Sequence, residues 1–402
     1  MSRLERDDAY LRRFESVLRS ERRDDGARWW RLAESAFYAT GGGQPHDEGT
    51  LRAGDVSWRV WDAESDDDGV VWHRVEGEAA TPAVGTALVG EIDWPRRWRH
   101  MQRHTAQHLL SQAFVRVDPA FGTRSVALSS SDVTLDLAGE PDDGAVMAAV
   151  RLANEVAASA LAIEAFEVDE SELDRYPLRR PPKVAGRVRL VRMGDWELSA
   201  CGGTHLRSSA EALPIVLLGR ERIRGGLVRV TFRAGLEAIE QAHATWAVAS
   251  AAARALSSGV PELSERVEAL LDEASSLRRA LAQARQGVAA ARAALLGAAP
   301  GALVAVTLGA DEAELATDLA DACAAAGASA VVAAPQGDRA FVVVASGAGI
   351  DVRPALQAAL EEVGGRGGGR PARAQGSGPR LDRLEEAVAA AQARLGATDD
   401  AT

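Results

Sequence analysis

The sequence predicts a multidomain α+β protein: an N-terminal β-barrel, an α+β domain carrying a metal site, a long helical linker and a C-terminal α/β module. Three observations carry that prediction. Strand formers separated by glycine turns fill residues 1–95, a heptad repeat runs from Leu263 to Leu295, and buried-type apolar runs alternate with alanine-rich stretches after residue 301. At 402 residues the chain also exceeds one ordinary hydrophobic core.

The elements follow in order. Trp58-Arg59-Val60-Trp61 and Val70-Val71-Trp72 cluster strand formers between glycine turns, the pattern of a small barrel or sandwich over residues 1–95. From Arg96 to about Phe114 the period changes: Ala106, Leu109, Leu110 and Ala113 recur at helical spacing. A second helix is expected from Asp143 to Leu161, and Arg187–Leu198 and Pro214–Arg233 return to strand-like alternation, so 96–240 reads as one α+β domain. Leu263, Val267, Leu270, Ala274, Leu277, Leu281, Ala284, Val288, Ala291 and Leu295 alternate spacings of four and three, with Glu268, Asp272 and Arg278 off the stripe. That seam predicts a coiled-coil or hairpin linker over 241–300 and a homodimer formed through it. Residues 301–402 carry the runs Leu303–Val306, Ala330–Val332 and Phe341–Val344 in a βαβ-like rhythm, then a glycine-rich stretch and a last amphipathic helix, Leu381 to Leu395.

Composition sets limits. No stretch approaches eighteen uninterrupted apolar residues, the N-terminus has no apolar signal core, and two cysteines cannot build a disulfide framework. A cytoplasmic protein with no membrane partner is expected. The net charge of -12 looks unsuited to nucleic acid, but phosphates respond to the local field. Arg175–Arg192 holds seven basic residues and no acid, and Gly364–Arg380 holds four arginines and no acid.

Two short motifs carry chemistry. His104 and His108 are four apart in a predicted helix, which puts both imidazoles on one face. Cys201-Gly-Gly-Thr-His205 sets a thiolate and an imidazole around paired glycines that permit a tight turn. Three of the seven histidines and one of the two cysteines sit in these motifs. Two histidines with a Cys-His pair complete a four-ligand set suited to Zn²⁺.

Five segments in this order resemble the freestanding alanyl-tRNA editing proteins in their long form, relatives of the editing domain of alanyl-tRNA synthetase. They are DAYLRRFE (Asp8–Glu15), FYATGGGQPHD (Phe37–Asp47), MQRHTAQHLL (Met101–Leu110), CGGTH (Cys201–His205) and the glycine-rich Gly364–Gly378. The last is similar to the end of the DHHA1-like nucleic-acid-binding module that the synthetase shares with DHH phosphoesterases. The resemblance implies a zinc-dependent hydrolase acting on tRNA(Ala) mischarged with serine or glycine. Because the barrel motif lies almost at Met1, it also implies editing in trans, without an aminoacylation domain.

Within that resemblance His104, His108, Cys201 and His205 are the zinc ligands, with His104 and His108 also expected in catalysis. Gln44, in the glycine loop, is expected beside the reacting ester. Thr123 and Ser125 are candidates for pairing with the serine hydroxyl, which alanine lacks. Arg97 and Arg103, interleaved with Trp94 and Trp98, and Arg366, Arg370 and Arg373 are candidates for tRNA contact. The C-terminal module is a second candidate dimer surface. Two stretches depart from the family pattern, Ala127–Ser131 and Ser209-Ala210-Glu211. The alternative is a tRNA-binding protein whose four-ligand zinc is structural and closed.

Overall fold

In the computed structural model, residues 2–178 and 186–399 are described. The chain divides into two compact units, one through Ala251 and one from Ala252.

The first unit begins with a closed six-stranded barrel: β1 (Arg13–Asp24), β2 (Ala27–Leu32), β3 (Gly49–Ala53), β4 (Val56–Ser65), β5 (Val71–Glu76) and β6 (Ala87–Ile92). Around the barrel the order is β1-β2-β5-β4-β3-β6. Inward residues alternate with outward ones, as in β5, and Trp30, Trp58, Leu18 and Leu51 fill the interior. The expected barrel is therefore present.

Asp93 ends the barrel and caps the next element: its carboxylate accepts Arg96 N–H, and Pro95 occupies the first turn of α1 (Trp94–Val117). This helix is buried nearly all round, polar residues included. It packs with α2 (Asp143–Ala158) on one face of a four-stranded antiparallel sheet. The strands are β7 (Thr123–Ala127), β8 (Val133–Leu137), β12 (Ile215–Ile223) and β13 (Leu227–Ala234), in the order β12-β13-β8-β7. Val228, Val230 and Phe232 of β13 face that core, while Arg229, Thr231 and Arg233 line the other face. A separate sheet of β9 (Ile163–Asp169), β10 (Arg187–Met193) and β11 (Glu197–Ala200) leads into the Cys201 turn.

The linker region forms two helices, α3 (Gly235–Ala255) and α4 (Leu263–Leu295), broken where Ser257 adopts a left-handed φ of 51°. Ala289 and Ala293, both off the heptad seam, are the residues by which α4 joins the C-terminal core. Leu271, outside the expected seam, is also exposed, as are Leu277, Leu281, Val288 and Leu295 on it.

The C-terminal sheet runs β14 (Leu303–Thr307), β15 (Ser329–Gln336), β16 (Arg339–Ser346), β18 (Arg373–Gly378) and β17 (Arg366–Arg370). Helix α5 (Ala316–Ala325) covers one face, and α6 (Arg353–Val363) and α7 (Leu384–Asp399) the other. Within this sheet only β14–β15 is parallel. The βαβ rhythm stops there because Gly337-Asp338 is a two-residue loop, and a connection that short returns the chain antiparallel. Among the described residues no helix is long and apolar enough to cross a membrane.

Candidate metal centre

The two halves of the site arrive from different elements. Helix α1 presents His104 and His108 on one face, with ring centroids 5.1 Å apart. The chain leaving β11 brings Cys201 and His205 over them, so that one ligand atom from each of the four residues lies within 4.8 Å of the others. Cys201 Sγ is 3.3 Å from both His104 Nε2 and His205 Nε2. A tetrahedron with bonds of about 2.0–2.3 Å has edges of roughly 3.3–3.7 Å, so the donor set suits zinc in chemistry, and the two Cys201 contacts match it in scale.

Each imidazole has a partner on its far nitrogen. His104 Nδ1 donates to Gln44 Oε1 at 2.8 Å, and His108 Nδ1 donates to Glu197 Oε2 at 3.0 Å. His205 Nδ1 donates to Thr105 Oγ1 at 3.3 Å. These bonds fix the ring orientations and turn all three Nε2 atoms inward. Further bonds hold the partners. Gln44 Nε2 donates to Thr204 Oγ1 at 2.8 Å, and Ser199 Oγ donates to Glu197 Oε1 at 2.6 Å.

Charge within the cluster is strongly coupled. Burial alone would push the Cys201 thiol up, but the neighbouring His104 and His205 imidazoles and the hydrogen bonds from His104 and His108 outweigh it and hold the group well below an ordinary thiol. Burial pushes His205 down to about 3, with His104 adding to the effect. At His108 burial also acts downward, yet the Glu197 carboxylate prevails and raises the pKa to about 10. Such a thiolate–imidazolium pair is ready to exchange a proton for a cation.

The glycine pair works differently from expectation. Neither Gly202 nor Gly203 has a positive φ, so the turn does not need their backbone freedom. It needs space. A Cβ at Gly203 would stand 2.2 Å from His104 Cε1 and 2.8 Å from Gln44 Oε1, whereas one at Gly202 meets nothing within 4 Å.

Other expected site residues scatter. Gln44 lies in the second layer, its carbonyl taken by His104 and the Thr204 N–H. Thr123 is buried and donates to Ser111 Oγ at 2.9 Å, which also accepts from Gln107 Nε2. Ser111 and Gln107 share the α1 stripe of His104 and His108, so Thr123 extends it. Ser125 does not join Thr123. The β7–β8 register slips between Asp136 and Leu137, and this bulge sends Thr123 inward and Ser125 outward, where it donates to Asp136 at 2.5 Å.

Arg97 and Arg103 are corrections to the expected tRNA contacts. Arg97 is 0% exposed: its Nε donates to Asp47 Oδ1 at 2.8 Å, and its terminal nitrogens donate to the carbonyls of Ala9 and Ala36. Arg103 donates to Glu237 at 2.7 and 2.5 Å, tying α1 to α3. A helix sandwiched on every side turns its arginines into internal ties. Arg366, Arg370 and Arg373 are exposed, with Arg373 Nε 2.7 Å from Asp321. Gly367 and Gly369 allow β17 to approach β18 closely, since a Cβ on either would fall 2.4 Å from a β18 carbonyl. Of the basic run from Arg175, Arg179, Arg180 and Lys183 lie outside the described residues.

Glu197, Thr105 and Arg189 were missed. The one local signal was an acid at Glu197 in the four-residue strand that leads directly into Cys201. Glu211, in one of the stretches departing from the family pattern, forms a capping box with the preceding Ser208 and also accepts the Tyr10 hydroxyl at 2.6 Å.

Comparison with known proteins gives three family matches: the DHHA1 domain at 300–397, the threonyl and alanyl tRNA synthetase second additional domain at 188–231, and tRNA synthetases class II (A) at 20–96. The alanine–tRNA ligase of Pyrobaculum calidifontis is 33% identical over 398 residues, 95% of this chain and 43% of that protein. The Methanopyrus kandleri ligase is 35% identical over 228 residues, covering 54% of this chain and 24% of the ligase. The chain thus spans less than half the length of either relative. The solved C-Ala domain of Aquifex aeolicus alanyl-tRNA synthetase is 25% identical, covering 22% of this chain and 84% of that one, at a TM-score of 0.20. The three family matches and the ligase identities together relate the chain to the alanyl-tRNA synthetase family.

Proposed function

We propose that the chain is an aminoacyl-tRNA ester hydrolase that removes serine, and also glycine, from tRNA(Ala) in trans, with zinc held by His104, His108, Cys201 and His205. One observation carries this reading. Three imidazole nitrogens and a thiolate converge in a chain that follows an alanine–tRNA ligase over 95% of its length. When bound, zinc would supply a water of lowered pKa or polarise the ester carbonyl.

The chain's own residues would do the rest. Gln44, with both ends of its amide engaged, keeps His104 in one orientation. Glu197 does the same for His108. The buried Thr123–Ser111–Gln107 hydroxyl and amide set would pair with a serine side chain and be left short of a partner by alanine. Arg366, Arg370 and Arg373 would contact phosphates, and the exposed α4 seam would pair two copies. The protein would work in the cytoplasm, where charged tRNA is used.

A second reading, a tRNA-binding protein with a structural zinc, is favoured by the ligand count: four protein ligands fill a tetrahedral site. Zinc-loaded protein mixed with Ser-, Gly- and Ala-tRNA(Ala) separates the two. Release of serine with alanine left in place is expected. Release at the spontaneous rate, with zinc shown to be bound, would favour the binding reading.

A further inference from the structure

Arg189, on β10, makes three hydrogen bonds to the turn that carries the thiolate. Its main-chain carbonyl accepts the Cys201 N–H at 3.0 Å. Its Nη1 donates to the Cys201 and Gly203 carbonyls, each at 2.9 Å. The side chain is 8% exposed, and its Nε has no hydrogen-bond partner. Burying a guanidinium is costly without compensation, and the charges that offset it here are those of Cys201 first and then Glu5. The two turn carbonyls are what its side chain holds.

The turn has little room to relax if released. Gly203 already lies so close to His104 and Gln44 that a single added carbon would collide with both. Movement toward α1 is blocked, and movement away carries Cys201 Sγ from the His104 and His205 nitrogens, each now 3.3 Å distant. We propose that Arg189 is the positioning residue for the Cys201 ligand: it pins the Cys201–Gly203 turn so that the thiolate completes the metal site. The proposal rests on the metal reading above and adds to it a residue outside the ligand set.

Cobalt titration of the metal-free, full-length protein tests both. Co²⁺ in a tetrahedral thiolate site shows visible d–d bands and a thiolate-to-cobalt charge-transfer band, the latter reporting the sulfur alone. Arg189→Met is expected to weaken Co²⁺ binding about 10–100-fold and to lower the charge-transfer band relative to the d–d bands. Arg189→Lys, which keeps a cation and a donor but not the planar fork, is expected to fall between Met and wild type. A purely structural role predicts a lower melting temperature with unchanged affinity and band ratio, and that result overturns the proposal. Should Arg189→Met fail to fold, the lysine variant decides: intermediate affinity supports the assignment, and wild-type affinity with a wild-type band ratio sinks it. Wild-type protein without a charge-transfer band would end the metal reading and this one together. A wild-type band matched by the variants would end only the role of Arg189.

Discussion

Glu197 Oε2 accepts the Nδ1 proton of His108 at 3.0 Å, and its charge raises that imidazole's pKa to about 10. The proton on His108 Nε2 must therefore leave when a metal arrives. Calorimetry of zinc binding near pH 7.5, in buffers of different ionisation enthalpy, should find about one proton released per ion. Glu197→Gln should weaken binding about 10–100-fold and lower that count, because His108 would then be largely neutral beforehand. An unchanged count in the variant would mean that Glu197 does not hold the proton.

Gly203 and Gly202 should respond oppositely to a methyl group. Gly203→Ala places a carbon 2.2 Å from His104 Cε1, a clash worth about 1–3 kcal/mol if the neighbours shift. It should lose most of its metal affinity, while Gly202→Ala, facing open space, should stay near wild type. Equal metal affinities by chelator competition would contradict the crowding argument.

Arg97 and Asp47 form a fully buried ion pair. Arg97→Met removes the buried partner of Asp47, and urea denaturation should show a loss of about 3–5 kcal/mol. Arg97→Met combined with Asp47→Asn should recover part of it. A double variant as unstable as the sum of the singles would show that the pair is not coupled.

Acid should destabilise the barrel through His73. Burial holds its folded pKa down to about 4, and the Trp30 carbonyl and Ser35 hydroxyl bond to its neutral ring. Above pH 6.5 the ring is neutral in both folded and unfolded chains and adds no pH dependence. As pH falls from 6.5 toward 4 only the unfolded chain gains the proton, so stability falls, by about 3 kcal/mol across that window. His73→Gln should flatten the fall in melting temperature between pH 7 and 4.5. A slope as steep as wild type would move the effect to other groups, His100 first, which burial lowers to about 3.

Arg366 and Arg370 stand exposed at the two ends of β17. On the proposed function, replacing both with glutamine should weaken tRNA binding and reduce the salt-dependence slope by about 2. A weaker affinity with an unchanged slope would place the phosphate contacts elsewhere.

The ligands were legible because their spacing is local. His104 and His108 are one helical turn apart, and Cys201 and His205 share one turn of chain. Their supports were less so: Glu197 meets His108 across 89 positions, and Gln44 was placed at the site only through the resemblance, not as the partner of His104 across 60 positions. Helix α1 misled for a related reason. Arg97, His100, Gln102, Arg103 and Gln107 are all buried, so polarity no longer marks its solvent face, and arginines that look basic and free are internal. Thr123 and Ser125 were named together as candidates for the serine hydroxyl, but one extra residue in β7 sends them to opposite faces. The heptad seam was legible as a pattern, but not which face of α4 the C-terminal core would take.

The glycine strand β17 also bears on how copies behave in concentrated solution. It is the last strand of its sheet, and between its arginines there is no side chain to shield the outer row of N–H and C=O groups. Such an edge invites a strand from a neighbouring molecule, and charges at its ends are a recurring means of discouraging that. Arg366 and Arg370 repel the same strand of another copy. Removing both charges lifts that repulsion, so the double variant should scatter light at concentrations where the wild type stays clear.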